Sequence, residues 1–312
     1  MSRANKRALH LFCVLLAVCT FILIIAGGLV TSNDAGLSVP DWPLSYGQWM
    51  PQMVGGVFYE HGHRMIAATV GLLTVVLACW LFVAREDRGL KRLGLFALAA
   101  VVLQGVLGGL TVLLKLPVAV SVLHAMLAQG FFCIVISLAL FTSRSWPPAS
   151  AKVSTPAQPR FRTARLLTLA LFVQLLLGAV LRHSGTIDGV KATRVDFLAL
   201  AGHLAGALLV AGLIAAVGLP ILKTASTGPT ARLSSLLLGL LVVQLGLGVG
   251  ALMVRLQAGD RIQPMPVDVG VTTAHVAVGA LMLAASLILT LLRWHSDQAG
   301  DRRLDLRPGE VS

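Results

Sequence analysis

Eight long apolar segments constrain this chain more than any other feature of its sequence. Each holds about 20 mostly apolar residues, the length that an α-helix needs to cross the hydrocarbon core of a bilayer. The segments are rich in Leu and Ala and do not alternate apolar with polar residues, which argues against strands. They lie at 9–30, 63–84, 92–114, 118–141, 164–182, 197–221, 232–255 and 269–292. The sequence therefore predicts an all-α membrane protein with eight transmembrane helices.

The composition supports a membrane location and argues against a nucleic-acid-binding protein. Hydrophobic residues make up 56% of the 312 residues and charged residues only 12%, whereas about a quarter of the residues in a soluble domain are charged. The net charge of +12 would suit a nucleic-acid partner if the basic residues shared one face. They are instead spread over short connections, so membrane topology explains them better.

The distribution of Lys and Arg predicts the orientation of the chain, because cytoplasmic loops are enriched in both residues. The termini and the connections after the second, fourth and sixth segments hold 18 of the 25. The other seven are Arg64, Lys115, Arg182, Lys191, Arg194, Arg255 and Arg261. We therefore predict that both termini are cytoplasmic and that the protein is a multi-pass component of a bacterial cell (inner) membrane.

The longest connection on the predicted cytoplasmic side divides the chain into two halves. It is rich in Pro, Ser and Arg, a composition typical of a flexible linker. We predict an N-terminal four-helix half over 1–142, a linker over 143–163, a C-terminal half over 164–295 and a disordered tail over 296–312. The expected architecture is two pseudo-symmetric four-helix bundles.

A repeated unit of two helices carries one histidine in each copy. The segments LQGVLGGL, VQLLLGAV and VQLGLGVG each place a Gln four residues before a Gly, and the following helix carries a histidine near its predicted outer end. The first two helices form a degenerate copy, in which LIIAGGLVT precedes EHGHR. The glutamines are Gln104, Gln174 and Gln244, and the histidines are His63, His124, His203 and His275. In membrane proteins such duplications often place a site at the repeat interface.

The four histidines are predicted to share one layer near the outer membrane surface, with two in each half. Each lies at most about seven residues, or about 10 Å, inside the outer boundary of its helix. Facing helices of a bundle can present two histidines to one planar iron porphyrin. The pattern predicts two bis-histidine haem sites, with His63 and His124 as the metal ligands of one and His203 and His275 as those of the other. Interhelical hydrogen bonding is the alternative for a single histidine and the expected role of the glutamines.

Only the first histidine has charged neighbours, since Glu60 stands three residues before His63 and Arg64 one residue after it. We predict that Glu60 is an acid/base group and that Arg64 binds a carboxylate of the porphyrin. A simple ion pair between the two is the alternative. His61 competes with His63 as a ligand, and we favour His63 because residues three apart share a helix face. The N-terminal half is thus the predicted catalytic half, and the C-terminal half the predicted electron relay.

The first outer connection, SNDAGLSVPDWPLSYGQWMPQMVGGVFY, is the longest on its side of the membrane. It contains Trp42, Tyr46 and Trp49. Aromatic residues favour the membrane interface, so a passive aromatic belt is one interpretation. A lid over the N-terminal site is the other.

The segments GGLVTSNDAGLSVPDWPLSYGQWMP and EHGHRM, followed by His124, His203 and His275, resemble the haem A synthase family. The resemblance implies an enzyme that oxidises a methyl group of haem O to a formyl group, giving haem A for terminal oxidases. It also implies a haem b cofactor between His203 and His275, substrate haem at His63 and His124, and a catalytic role for Glu60.

One departure from the family pattern concerns the first outer connection. Ser38 and Ser45 stand where many bacterial relatives carry a cysteine pair. The route by which electrons reach the site is therefore left open by the resemblance.

Two other classes of function stay open at this point. A di-haem membrane cytochrome that carries electrons from quinol to a partner would often place its haems at different depths. A haem transporter or chaperone would not need Glu60 beside a ligand. For the synthase, the candidate partners are haem O, the enzyme that makes haem O, a quinol electron donor, membrane lipid and a second copy of the chain.

Overall fold

In the residues that it describes, the computed structural model contains eight long helices, which confirms the predicted fold class. It describes residues 3–84, 87–144, 146, 161–184, 186–187, 190–191, 196–223, 228–257 and 264–305. The helices are α1 (Arg3–Ser32), α2 (Gly56–Val83), α3 (Arg88–Leu113), α4 (Val118–Phe141), α5 (Phe161–His183), α6 (Phe197–Lys223), α7 (Pro229–Gln257) and α8 (Pro266–Asp305). All eight are long and apolar enough to cross a bilayer, as expected for a multi-pass membrane protein. The strands in this described part are β1 (Thr186–Ile187) and β2 (Val190–Lys191), which pair antiparallel.

The helices extend beyond the predicted spans, because hydropathy marks only the part of a helix that is apolar. Helix α2 begins at Gly56, so the whole EHGHR element lies in its first turns. Helix α8 continues to Asp305, so residues 296–305 are helical where a disordered tail was predicted. Residues 161–163 of the predicted linker belong to α5. Residues 145 and 147–160 of the linker and 306–312 of the tail lie outside the described residues.

Each half closes into a four-helix ring, and the two rings have the same order. In the N-terminal half, α1 packs on α2, α2 on α3, α3 on α4 and α4 on α1. Helices α5 to α8 repeat this order, with α5 against α8. The halves meet where α1 and α4 contact α8 and where α4 contacts α5. The contacts therefore agree with two pseudo-symmetric bundles.

The buried apolar core of each half lies towards the end that carries the chain termini. We call this end the terminal end, and the opposite end, where the odd-numbered helices finish and the even-numbered helices begin, the histidine end. In the N-terminal core, Val70 and Phe131 are the members nearest to His63 and His124, and each lies seven residues further along its helix. Val210 and Met282 stand seven residues beyond His203 and His275 in the second core. Both cores thus stop about 10 Å short of the histidine layer along these helices.

A third, smaller cluster joins the two halves. Ile24 of α1 and Phe132 of α4 pack with Ala280 and Ala284 of α8, and Phe21 stacks on Phe132 with 6.0 Å between ring centres. The small alanine side chains let α8 approach the N-terminal half closely. The halves are therefore packed together, and their histidine ends lie side by side.

Candidate functional site

Each of the four histidines lies against a glycine of the preceding helix. A Cβ atom placed on any of these glycines would stand 3.1 to 3.2 Å from the Cε1 atom of the imidazole. The pairs are Gly27 with His63, Gly108 with His124, Gly178 with His203 and Gly248 with His275. A larger residue would push the ring off the helix backbone. The same contact in all four units shows that the sequence repeat is also a structural repeat.

The predicted interhelical role of the glutamines is confirmed, and their partners are the histidines themselves. Gln104 Nε2 donates to the backbone oxygen of His124 at 3.0 Å and lies 3.3 Å from its ring Nε2. Gln174 Nε2 donates to the backbone oxygen of His203 at 2.9 Å, and Gln244 Nε2 lies 3.5 Å from Nε2 of His275. In the first unit the equivalent residue is Leu23, whose backbone is hydrogen-bonded to His63. In each of these three units, the glutamine lies one helical turn before the glycine and contacts the same histidine.

Within each half the two histidines approach one another. The ring centres of His203 and His275 lie 6.2 Å apart, with their planes inclined by 70°. Two imidazoles on opposite sides of one metal, each with a metal–nitrogen bond of about 2 Å, have ring centres about 6 Å apart. In the N-terminal half, His63 and His124 lie close enough for an electrostatic interaction between their rings. The two histidines of each half are therefore neighbours, and their pairing at one iron stays a prediction.

The environment of the rings fits a metal-bound planar group. The Nδ1 atoms of His63, His124 and His275 are buried and have no hydrogen-bond partner within the described residues. Such atoms are rare in folded proteins, because an unpaired buried polar atom costs free energy. Nor do the described residues contain a cluster of three or more His, Cys, Asp or Glu that would suit a metal ion held by side chains alone. Paired histidines with unpaired nitrogens fit a group that brings its own equatorial ligands, as an iron porphyrin does.

The two histidines of the EHGHR element point in different directions. His63 occupies the repeat position against Gly27. His61 is buried, and its Nδ1 lies 2.8 Å from the Oγ of Ser45 in the connection between α1 and α2. Residues two apart on a helix face nearly opposite sides. The structure therefore places His61 with the connection and His63 with the other three histidines.

Glu60 and Arg64 together fasten the connection between α1 and α2, which we call loop 1–2 (33–55), to helix α2. Glu60 is only 4% exposed; its Oε2 accepts from the backbone N of Val39 at 2.8 Å, and its Oε1 accepts from Arg64 at 2.7 Å. The Arg64 guanidinium also donates to the backbone oxygens of Asp41 at 2.8 Å and Leu44 at 2.9 Å. The ion pair weighed as an alternative is therefore present. The predicted role of Arg64 in binding a porphyrin carboxylate stays a prediction, and its donors here serve Glu60 and loop 1–2.

Loop 1–2 is folded over the N-terminal bundle. The Trp42 indole lies on Gly109 of α3, where an added Cβ would stand 2.6 Å from Cδ2 of the ring. The Asp41 carboxylate accepts from the backbone N of Tyr46 at 2.6 Å and of Gly47 at 2.8 Å. The hydrogen bond from Gly47 has the largest effect on the pKa of Asp41, and together with that from Tyr46 it holds this pKa below its usual value. The loop therefore spans from α2 to α3 across the histidine end, as the lid interpretation requires.

The aromatic belt also has support, at a different place in the loop. Trp49 is 84% exposed, in contrast to Trp42, which rests on α3. An exposed indole at the end of a membrane bundle suits the interface between lipid and water. The two interpretations of loop 1–2 therefore apply to different residues.

Three basic residues near the site were not among the predicted site residues. His183 is the last residue of α5 and lies close enough to Arg182 and His124 for electrostatic interaction. Arg182 and Arg255 in turn act on each other. Their clustering depends on the contact of Arg255 with the end of α5 across the bundle, which sequence spacing does not reveal. In the sequence, the two arginines were marked only by their position on the side of the membrane that is poor in Lys and Arg.

Fold and site together define a class of protein. It is a multi-pass helical membrane protein of two fused four-helix bundles, each with two histidines at the same end. One bundle adds a buried Glu–Arg pair and a covering loop.

A sequence model of the COX15-CtaA family, described as cytochrome oxidase assembly protein, matches residues 10–54 and 52–194. The chain belongs to this family. A haem A synthase of Shewanella oneidensis is 26% identical over 91% of this chain and 96% of its own length, and one of Rhizorhabdus wittichii is 24% identical over 91% and 93%. A third, of Symbiobacterium thermophilum, is 34% identical over 53% of this chain, which spans about half (56%) of that relative.

Replacing Gly248 by Val should weaken the hold on a group bound at His275. A Cβ at this position already stands 3.2 Å from Cε1 of the ring, and the two extra methyl groups force the imidazole away. We expect haem retention to fall about tenfold, the scale on which residues that orient metal ligands act. Haem per protein in the purified variant is the measurement. Gly239→Val in the same helix, where an added Cβ meets nothing within 4 Å, should match the wild type; equal haem content in both variants would contradict the prediction.

Replacing Gly109 by Val should displace Trp42 from α3. An added Cβ would stand 2.6 Å from Cδ2 of the indole, and a rigid ring cannot relieve that contact by a small side-chain movement. We expect the backbone amides of Tyr46 and Gly47 to exchange hydrogen at least about tenfold faster, because the loop opens locally. Hydrogen–deuterium exchange measures this. Gly105→Val of the same helix meets nothing within 4 Å and serves as the control. Unchanged exchange in the Gly109 variant would argue against a loop held down by Trp42.

Proposed function

We propose that this protein is a haem A synthase, an oxidoreductase that converts a methyl group of haem O to the formyl group of haem A for terminal oxidases. The observation that carries the proposal is the fourfold glycine–histidine contact, which occurs once in each helix pair and so twice in each half. It occurs in a chain of the cytochrome oxidase assembly family, and two relatives aligned over 91% of the chain are haem A synthases. We place the protein in a bacterial inner membrane with both termini cytoplasmic, on the distribution of Lys and Arg.

The N-terminal half is the proposed catalytic half. His63 and His124 would bind the iron of the substrate haem O, one from each side. Conversion of a methyl to a formyl group replaces two C–H bonds of the substrate by a C=O bond, so protons must leave the site. Glu60 is the buried carboxylate one helical turn from His63, and we assign it the transfer of protons. Arg64 keeps Glu60 oriented, and loop 1–2 excludes water from above.

The C-terminal half is the proposed cofactor half. His203 and His275 would hold a haem b, whose iron supplies one-electron transfer when bound. The 6.2 Å between their ring centres fits such a metal without rearrangement of the helices. Gln174 and Gln244 keep the rings in place. This half has no counterpart of the Glu60–Arg64 pair at the histidines of the repeat, since Leu200 and Leu204 stand at the equivalent positions around His203. A relay role rather than catalysis therefore suits it.

The decisive experiment supplies the expressed protein with haem O and identifies the extracted haems by mass spectrometry. The proposal expects a hydroxymethyl or formyl haem that is absent when His63 and His124 are both replaced by Ala. Unchanged haem O, in protein that retains two b-type haem signals, would reject the synthase and favour the di-haem electron carrier. Unchanged haem O that passes to an acceptor protein would favour the transporter.

A further inference from the structure

We propose that Arg182 and Arg255 form a carboxylate-binding site at the histidine end of the C-terminal bundle, and that its ligand is the carboxylate edge of the iron porphyrin held by His203 and His275. The inference rests on the proposed function, since it takes that porphyrin as the resident cofactor. It adds the residues that neutralise the two propionate groups of the cofactor. It also gives a reason why one porphyrin stays while the other is exchanged.

Arg255 crosses the opening of the C-terminal bundle. It projects from α7, and its NH1 donates to the backbone oxygen of Leu181 near the end of α5 at 3.0 Å. Helices α5 and α7 stand diagonally in the ring, since each packs on α6 and α8. The guanidinium therefore lies above the two histidines of this half rather than on the outer surface of the bundle. One of its remaining N–H groups can serve a ligand that enters from below.

Arg182 stands beside Arg255 on the side towards the N-terminal half. Its NH2 is 3.4 Å from the Oγ of Ser32, which also accepts from Thr272 at 2.9 Å and Thr273 at 3.2 Å. The two guanidinium groups repel one another, and the charges of Asp34 and Asp196 act on Arg182 and Arg255 from a distance. In the described part of the chain, neither guanidinium forms an ion pair within 4.0 Å.

This arrangement is costly unless an anion completes it. Two adjacent cations at the end of a membrane bundle are partly withdrawn from water and are not paired with carboxylates, which raises their free energy. A carboxylate bound between them would offset both the repulsion and the lost hydration, and the guanidinium fork matches the geometry of a carboxylate. The neighbouring hydroxyl group of Ser32, which accepts from Thr272 and Thr273, keeps its own proton to donate to a ligand. The site is therefore built for an anion of this shape.

The depth of the two arginines fits the carboxylate edge of a porphyrin. Arg182 lies four residues beyond Gly178, and Arg255 seven residues beyond Gly248, where these glycines mark the histidine layer. At 1.5 Å per residue the two positions stand about 6 Å and about 10 Å beyond that layer. Both propionate groups of an iron porphyrin lie on one edge of the ring. With that edge turned towards the histidine end, they meet the two guanidinium groups.

The repeat shows that the N-terminal half lacks an equivalent pair. Thr31 stands at the repeat position of Arg182, and Lys115, which is exposed, stands at that of Arg255. The remaining cation of the N-terminal site, Arg64, is engaged by Glu60 and loop 1–2. The N-terminal half therefore offers a weaker hold for carboxylates. Weaker binding of the carboxylates suits a substrate that must leave as product, whereas a permanent cofactor benefits from the arginine pair.

The test compares iron protoporphyrin with its dimethyl ester, which lacks both negative charges. Full-length protein carrying His63→Ala and His124→Ala, so that only the C-terminal site binds, is depleted of haem and titrated with each porphyrin. We expect the parent protein to bind the free acid at least about tenfold more tightly than the ester, as a charge-assisted hydrogen bond would provide. In Arg182→Gln/Arg255→Gln this preference should disappear. Arg255→Lys should keep part of it.

The control is Arg232→Gln, at the opposite end of the same helix α7, which should keep the full preference for the free acid. An undiminished preference in the double glutamine variant would overturn the proposal. If the double variant does not fold, Arg255→Gln alone decides, because the ratio of two affinities cancels a general loss of stability. Failure of haem O conversion in the native protein would reject the synthase and leave this preference intact, so the two proposals fail separately.

Discussion

The Glu60→Gln variant should lose at least about 99% of its haem O conversion while it retains both porphyrins. General acid–base groups typically contribute about 10²–10⁴-fold to a rate. Gln has nearly the same shape as Glu, and its side-chain oxygen can still accept from the backbone N of Val39, which lies 2.8 Å from Oε2 of Glu60. It cannot take up a proton or neutralise Arg64. The loss is therefore expected in catalysis rather than in folding.

Conversion per bound haem is the measurement for this variant, with the haem spectrum as the check on binding. Asp268→Asn removes a carboxylate from the first turn of α8, at the same end of the other bundle, and should convert haem O at close to the wild-type rate. Full conversion by Glu60→Gln would reduce Glu60 to a structural anchor of loop 1–2. Loss of both conversion and haem content would point to a collapsed site instead.

The His275→Ala variant should purify without the porphyrin of the C-terminal half. Residues that merely orient a metal ligand change metal affinity by about 10–100-fold, so loss of the ligand itself should exceed that. The ring centre of His275 lies 6.2 Å from that of His203. Without His275, one side of a metal bound between them would have no protein ligand. We expect the low-spin signal of one bis-histidine haem to vanish while the signal of the other half persists.

His295→Ala is the matched control for this experiment. His295 lies near the terminal end of the same helix, where its ring contacts Trp146 at 5.1 Å between centres, and its loss should leave both haem signals in place. Absorption and electron paramagnetic resonance spectra of the purified variants give the comparison. Stoichiometric haem with unchanged spectra in His275→Ala would remove the C-terminal site from the proposal.

The difference between the two halves accounts for the division of labour that we propose. They share the helix ring, the glycine contacts and the histidine layer. The N-terminal half adds Glu60, Arg64 and loop 1–2, whereas the C-terminal half adds Arg182 and Arg255. Duplication thus supplied two similar sites, and the residues around each histidine pair set what the site does with its porphyrin. Fold alone would not distinguish them.

The sequence predicted most of the fold, and it named the residues of the candidate site that the structure then located. Apolar runs of bilayer length and the periodic Gln–Gly–His pattern are local signals, because each depends only on neighbouring residues and on the period of a helix. The choice of His63 over His61 also followed from helix geometry, and the structure places His63 in the repeat position. The predicted span boundaries stopped short, because helices continue in polar turns beyond the bilayer core.

Contacts between distant residues are what the sequence left undecided. Trp42 rests on a glycine 67 positions away, and Arg255 bonds to Leu181 across the bundle. The partner of a long, charged side chain such as Arg64 depends on which backbone carbonyls a folded loop presents. No periodicity encodes that choice. Such residues are unusual in charge and position within the sequence, but their contacts are set by the tertiary structure.

By itself, the sequence determined the eight apolar segments of bilayer length, the repeat and the histidine in each copy of it, since hydrophobicity and helical period act locally. Only the tertiary structure decided that the histidines sit on glycines, that loop 1–2 is fastened by Glu60 and Arg64, and that two arginines meet above the C-terminal pair. These features arise where separate helices and loops converge, and their geometry is set by the packing of the whole bundle.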